Sequence, residues 1–196
     1  MKTYKKEIDS PKLEIYYDQD AESPREWDGN LGYFITVDRG VKSPDQENDI
    51  IKEIVRRTGE EAESGAEHIR MITGGIEQDT NEKVIAIFPI VKYEHSGVVY
   101  KLGKVFGFDY SNNGFYIITD KTQKDSGVKK KDFEKVIKAE LDIYNNWING
   151  EVYGFNLYDE NGEEVDSLSG FFDIEDIKED LPDEWKNEDL REYLIN

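Results

Sequence analysis

The sequence predicts an α+β fold: a mostly antiparallel sheet of about six strands, with helices packed on one face, in a single domain. Three observations carry that expectation. Glu151 to Phe172 reads EVYGFNLYDENGEEVDSLSGFF, two runs of Val, Tyr, Phe and Leu joined by Asn161-Gly162, a pair that accepts the positive φ angles of a tight hairpin. Just before it, Asp132 to Asn149 sets Phe133, Val136, Ile137, Leu141, Tyr144, Trp147 and Ile148 at helical spacing, and Gly150 stands where a left-handed residue stops a helix. Elsewhere, short β-branched and aromatic runs recur without an internal repeat, low-complexity tract or linker between them.

In chain order, residues 1–12 form a polar tail and Leu13 to Tyr17 (LEIYY) a first strand, followed by an acidic loop through Pro24. Asp28-Gly29-Asn30 turns the chain into Tyr33 to Val37 (YFITV), a second strand. Residues 43–80 read as a helical insertion. Ser43 is placed as N-cap, Pro44 as the first helical residue and Gln46 as the partner in a capping box, with Ile50, Ile51, Ile54 and Val55 inward and Gly59 as the stop. Glu60 to Thr73 forms the next helix, closed by Gly74-Gly75. Val84 to Tyr93 (VIAIFPIVKY) is apolar on both faces, as a central strand is, while Pro89 lacks a donor and marks a bulge or an edge. Glu94 to Gly97 turns into Val98 to Leu102, and Phe115 to Thr119 (FYIIT) adds another strand. After the helix and hairpin, Asp173 caps a segment with Ile174, Ile177 and Leu181 at helical spacing that Pro182 ends, and Asp189 to Ile195 adds a final turn. With Asn161 and Gly162 as the two turn residues of the hairpin, Glu160 faces Glu163 and Asp159 faces Glu164, like charges across the ladder.

A chain of 196 residues, 37% hydrophobic and 12% aromatic, is long enough for one sizeable core. Its net charge of -19 is uneven: residues 151–196 hold 16 acids against Lys178, Lys186 and Arg191, a net of -13, whereas residues 1–150 hold 28 acids against 22 bases, a net of -6. Such a field repels nucleic acid and attracts basic surfaces, so direct binding of DNA or RNA is not expected. Without cysteine there is no disulfide, thiolate metal site or thiol nucleophile, and a reducing cytoplasm fits. No signal-like apolar run opens the sequence and no stretch approaches the roughly 20 apolar residues of a membrane helix, so a cytoplasmic protein with no membrane contact is expected.

The residues that could carry chemistry do not assemble into a motif. His95 beside Ser96 sits in a tight turn, where neighbours do not face each other as nucleophile and base, and His68 lies on a polar helical stretch. Asp18-x-Asp20-x-Glu22 and Asp159-x-Asn161-Gly162 both lack the later glycine and glutamate of a calcium loop, and Gly103 and Gly107 fit no phosphate-binding fingerprint. Lys129 to Lys131 reads as a solvated run, and Trp27, Trp147 and Trp185 as core and sheet-face residues. No catalytic, cofactor-binding or metal-binding residue is expected, and no cofactor.

The phrases LEIYYDQDAESPREWDGNLG, IVKYEHSGVVY, NNGFYIITDK and above all LDIYNNWINGEVYGFNLYDENGEEVDSLSGFFDIE resemble a family of small proteins of uncharacterised function encoded by phages and mobile elements of Gram-positive bacteria. The likeness spans roughly residues 13–178, with 43–80 as a variable insertion. Members usually carry a cysteine near Ser167 and a tryptophan near Ser169; this chain has neither, so shared thiol chemistry is not implied. The resemblance implies an accessory protein in a bacterial cytoplasm and carries over no catalytic residue.

Three functions follow as expectations. The first is an acidic inhibitor of a host defence nuclease, of restriction or CRISPR type, by partial DNA mimicry. Duplex DNA presents one charge per about 1.7 Å of axis, so a groove built for it offers dense Lys and Arg to a fixed array of carboxylates. The partner-binding face would be Asp159, Glu160, Glu163, Glu164 and Asp166 on the hairpin with Glu175, Asp176, Glu179 and Asp180 on the following helix, and the partner a basic host protein that binds DNA or RNA. The second is a small carboxylate- or metal-dependent enzyme, and the third an interaction module without mimicry. Carboxylates spread over a surface favour the first; three or four converging in a cleft favour the second.

Overall fold

The structure is a computed structural model that describes residues 12–36, 43–45, 49–105 and 107–195. The expected polar tail up to Pro11, Val37 and the capping-box Gln46 lie outside the described residues. The fold is α+β with antiparallel pairing throughout its two sheets, of three and four strands. The chain forms two compact units, Met1–Glu22 with Asn146–Asn196, and Ser23–Asn145.

The central unit contains β2 (Tyr33–Thr36), α1 (Asp49–Glu61), α2 (Gly65–Thr80), β3 (Val84–Glu94), β4 (Val98–Leu102), β5 (Tyr110–Thr119), α3 (Asp120–Ser126) and most of α4 (Phe133–Ile148). Its sheet runs β2-β5-β3-β4. Alternate residues of a strand face opposite sides, and here both sides are covered. Ile35 and Ile117 pack with Ile51 and Ile54 of α1 and Ile72 and Ile76 of α2. Phe34 and Tyr116 turn the other way, where Phe34 meets Tyr100 at 5.0 Å and Tyr144 of α4 at 5.4 Å, both edge-on. The sequence expectation of helices on one face is thus extended: α1 and α2 take one side, α4 the other, which accounts for the two-sided apolarity of the central strands. Pro89 lies where the β3–β4 ladder ends at Ile90 and Leu102, and its carbonyl accepts from Gly103 N–H at 2.8 Å. A residue's N and O point to the same side of a strand, so the missing donor of Pro89 faces the end of the ladder and costs little.

Several predicted stops are corrected. Gly59 does not end α1, which continues to Glu61, and Gly74-Gly75 lies inside α2, which continues to Thr80. A Cβ on Gly75 would stand 2.7 Å from Ile54 Cγ2, and one on Gly59 would stand 3.2 Å from His68 Cε1. These glycines let α1 and α2 approach, which outweighs their low helix propensity. Ser64 caps α2 by accepting from Glu67 N–H, and Asn81 closes it in the left-handed region. At the start of the region, Ser43 Oγ accepts from Thr36 N–H, Pro44 and Asp45 form a turn, and the described helix begins at Asp49. Ile50, expected inward, is 51% exposed. The capping box Thr119/Thr122 and left-handed Gly127 bound α3, a helix that the sequence reading did not identify.

The terminal unit contains β1 (Lys12–Tyr17), β6 (Tyr153–Tyr158) and β7 (Glu164–Phe171) in the order β1-β6-β7. One face carries Leu13, Ile15, Tyr153, Phe155 and Leu157 against Ile174, Ile177, Leu181 and Leu190. On the other face a Cβ at Gly154 would fall 2.5 Å from Tyr16 Cζ, so the absent side chain is what lets Tyr16 lie across the sheet. The α4 helix ends as expected: Gly150 has φ +72° and donates to Trp147 O at 3.0 Å, with open space around its Cα. Gly150→Val should therefore lower stability by about 1–2 kcal/mol through backbone strain alone, since no neighbour is struck. A denaturant midpoint equal to that of the parent would remove this assignment of the stop.

Candidate functional site

The hairpin predicted from Glu151 to Phe172 is present as β6 and β7, but its turn is longer than two residues. Asp159 N–H donates to Glu163 O at 2.9 Å, Gly162 N–H donates to Asp159 O at 3.0 Å, and Gly162 has φ +78°. The loop is Glu160-Asn161-Gly162, a turn followed by a left-handed glycine. The expected facing pairs are corrected accordingly: Glu164 stands opposite Tyr158, Asp166 opposite Leu157, and Glu160 rides on the loop. Asp159 builds the turn itself. Its Oδ1 accepts from Asn161 N–H at 2.8 Å and Glu163 N–H at 2.9 Å, and its Oδ2 from Asn161 Nδ2 at 3.1 Å. Those amides, Glu163's first, hold its carboxyl below the usual range. The side-chain bond has a sequence signal, Asp-x-Asn-Gly, that reads equally as half a calcium loop. Asp18 does the same in its own loop, accepting from Asp20 N–H at 3.1 Å.

The other nominated carboxylates divide by role. Glu160, Glu163, Glu164 and Asp166 are exposed, and no Lys or Arg among the described residues forms an ion pair with them. Asp166 Oδ1 accepts from Ser167 N–H at 2.9 Å. Glu175, Asp176 and Glu179 lie on a 3₁₀ helix, Ile174–Glu179, in place of the expected α-helix, with Asp180 at its end. Ile174 and Ile177 are three apart and both buried, a spacing that a three-residue turn satisfies. Glu175 pairs with Lys178 at 2.8 Å, leaving Asp176, Glu179 and Asp180 exposed without a basic partner among the described residues. This short helix packs on β6 and β7. Among the described residues, no three Asp, Glu or His side chains are grouped so that they could hold a metal ion.

The central unit contains a second ionic arrangement that the sequence reading missed. Arg25, on the 3₁₀ turn Pro24–Glu26 capped by Ser23, is inward with 3% of its side chain exposed. Nε and Nη2 bind Asp45 Oδ1 and Oδ2 at 2.7 and 3.1 Å, and Nη2 also donates to Gly32 O at 2.6 Å. Nη1 donates to Glu140 Oε2 at 2.8 Å and to Asn30 Oδ1 at 3.0 Å. All five N–H donors of the guanidinium are thereby engaged. Burial opposes its charge, but Asp45, Tyr116 and Glu140 more than offset this and raise its pKa. The Tyr116 hydroxyl donates to Glu140 and accepts from Gly32 N–H at 3.0 Å; burial first, then Glu140, holds that phenol neutral well above its usual range despite Arg25.

A cleft of about 430 Å³ opens beside this cluster, with Trp27, Asn30, Tyr33, Lys121 and Asp125 around it. Trp27, expected as a core or sheet-face residue, is 44% exposed and lies outside the strands. The Tyr33 hydroxyl and Thr119 Oγ1 donate to the buried Glu82, at 2.9 and 2.7 Å, and Lys121 Nζ stands 3.9 Å from it. The polar groups behind the cleft thus satisfy one another, and among the described residues there no nucleophile is paired with a base. His95 is exposed in its turn, and His68 packs beside Gly59 with Nε2 3.3 Å from Val55 O. No helix among the described residues is long and apolar enough to cross a membrane. Comparison of the chain with protein-family models, with curated proteins and with solved structures finds no match.

Proposed function

We propose that this chain is an acidic inhibitor that occupies the DNA-binding surface of a basic host protein, a defence nuclease of restriction or CRISPR type, by partial DNA mimicry. The supporting observation is the state of the hairpin carboxylates: Glu160, Glu163, Glu164 and Asp166 are exposed and lack basic partners among the described residues, in a segment with a net charge of -13. Salt bridges inside the protein would neutralise such an array; here it is left for a partner. The spread of the carboxylates, rather than convergence on one point, favours a charge surface over acid-base or metal chemistry. The resemblance to phage and mobile-element proteins supplies the setting, a bacterial cell whose nucleases attack incoming DNA.

The test uses Glu160→Gln, Glu163→Gln, Glu164→Gln and Asp166→Asn together. Asp159 is left in place because its carboxylate forms the turn. Purified restriction and RNA-guided nucleases are assayed for cleavage of duplex DNA with the parent or the variant, across a salt series. The parent should inhibit cleavage at low salt, yield to excess uncleavable duplex, and lose potency by at least about tenfold in the variant, equivalent to about 1.4 kcal/mol. Inhibition indifferent to the four substitutions, to salt and to duplex competitor would eliminate mimicry through this face.

A further inference from the structure

We infer that the outer edge of β7 is a strand-addition site for an extended segment of the partner bearing lysine or arginine; this deepens the reading of the acidic hairpin and rests on it. The sheet order leaves β1 and β7 as edges. The outer side of β1 is met by the chain itself, through a parallel bridge from Ile15 to Leu194 and a 2.7 Å bond from Ile195 N–H to Ile15 O. Among the described residues β7 pairs with β6 alone, and all of it except Phe171 is exposed. Irregularities in the β6–β7 register fall toward its two ends, so Asp166–Ser169 runs in unbroken pairing against Leu157–Gly154. Ser167 N–H binds the Asp166 carboxylate and not β6, which places Ser167 on the outward side, and the alternation of an antiparallel ladder then places Ser169 outward as well. With the Ser167 N–H held by Asp166, the Ser167 carbonyl and the Ser169 N–H and carbonyl face the edge, and extended peptides use such groups when they add to a sheet.

Charge selects the occupant. Residues 151–177 contain no lysine or arginine, and Glu160, Glu163, Glu164 and Asp166 surround the hairpin end of the edge. A second copy of the chain would bring another strand without lysine or arginine to this acidic edge, whereas a cationic strand would place opposite charges beside Glu164 and Asp166. Leu168, 45% exposed, lies on the same face as Asp166 and two residues from it, beside Phe155. The fitting segment therefore carries an apolar side chain two positions from a basic one.

The probe is a synthetic peptide as long as the 8-residue β7, in which Lys-Thr-Val-Thr repeats so that lysine and valine stand two positions apart on one face, compared with the same peptide N-methylated at every amide, which keeps the charge and removes the pairing donors. Binding to the full chain is measured by calorimetry at low salt. The plain peptide should bind and the N-methylated one should bind at least about tenfold more weakly. Ser169→Pro, which blocks the edge without changing charge, should weaken the plain peptide similarly, provided that its thermal melt matches the parent; if it does not fold, the two peptides on the parent chain decide. Equal binding of the two peptides would overturn strand addition while leaving the charge surface intact, and so would failure of the plain peptide to bind a chain that still inhibits nucleases. Pairing-dependent peptide binding without nuclease inhibition would keep the edge site and remove the nuclease reading.

Discussion

Arg25→Ala should cost about 3–5 kcal/mol, enough to unfold a domain of ordinary stability or bring it close to unfolding. The magnitude comes from what is left behind: Asp45 and Glu140, 5% and 17% exposed, would lose the cation that both face. Arg25→Lys should recover only part of the loss, because an ammonium has three donors where the native side chain uses five, two of them in a fork on Asp45. An isolated buried ion pair can often be exchanged for apolar residues without loss. This one should resist the exchange, since the carboxylates also accept backbone donors, Leu31 N–H at 2.8 Å on Glu140 and Phe34 N–H on Asp45. Arg25→Met with Asp45→Leu and Glu140→Leu should therefore stay less stable than the parent, by about 1–3 kcal/mol for each orphaned amide. Urea unfolding followed by tryptophan fluorescence measures all three variants. A fully apolar variant as stable as the parent would show that the cluster does not organise the backbone around residues 31–34.

What the sequence made legible and what it did not divide along a physical line. Periodicity and turn chemistry act over a few residues, so the strands, the stripe of α4, Gly150 and the Asp173 cap could be read from neighbours alone. Glycine was ambiguous for the same reason: at Gly150 the backbone needs a positive φ, whereas at Gly75 it is a side chain 21 residues earlier, Ile54, that needs the space. The Thr119-x-x-Thr122 box and Gly127 did carry a local signal for α3, although its side chains supply no apolar stripe to reinforce it. The buried cluster had no local signal, because its members are separated by 20 and 115 positions and each reads as an ordinary surface charge. At the acidic hairpin, composition located the charge correctly, but only the hydrogen bonds separate Asp159, which holds the turn, from Glu160, Glu163 and Glu164, whose carboxylates bind no other residue among those described.

Asn145→Ala should cost about 2–4 kcal/mol although it removes no charge and little apolar surface. β4 is the last strand of the central sheet, and among the described residues no further strand beyond it takes its outward backbone groups. The Asn145 side chain does so at Tyr100: its Oδ1 accepts from Tyr100 N–H at 2.7 Å and its Nδ2 donates to Tyr100 O at 2.9 Å. The amide thus stands in for one residue of a missing strand, and because both groups are buried, truncation removes the partner of a donor and of an acceptor where water does not readily replace it. Asn145→Asp is the sharper variant. A carboxylate can still accept from the Tyr100 N–H but presents a lone pair and a charge to the Tyr100 carbonyl, so it should destabilise at least as much as alanine at neutral pH and recover as the pH is lowered and the carboxyl gains a proton. Chemical denaturation of the parent and both variants at neutral and acidic pH separates the cases, with protection of the Tyr100 amide from hydrogen exchange as a local readout. Unchanged midpoints together with unchanged Tyr100 protection in the alanine variant would mean that water serves this edge as well as the side chain does, and that Asn145 does not hold α4 to the sheet.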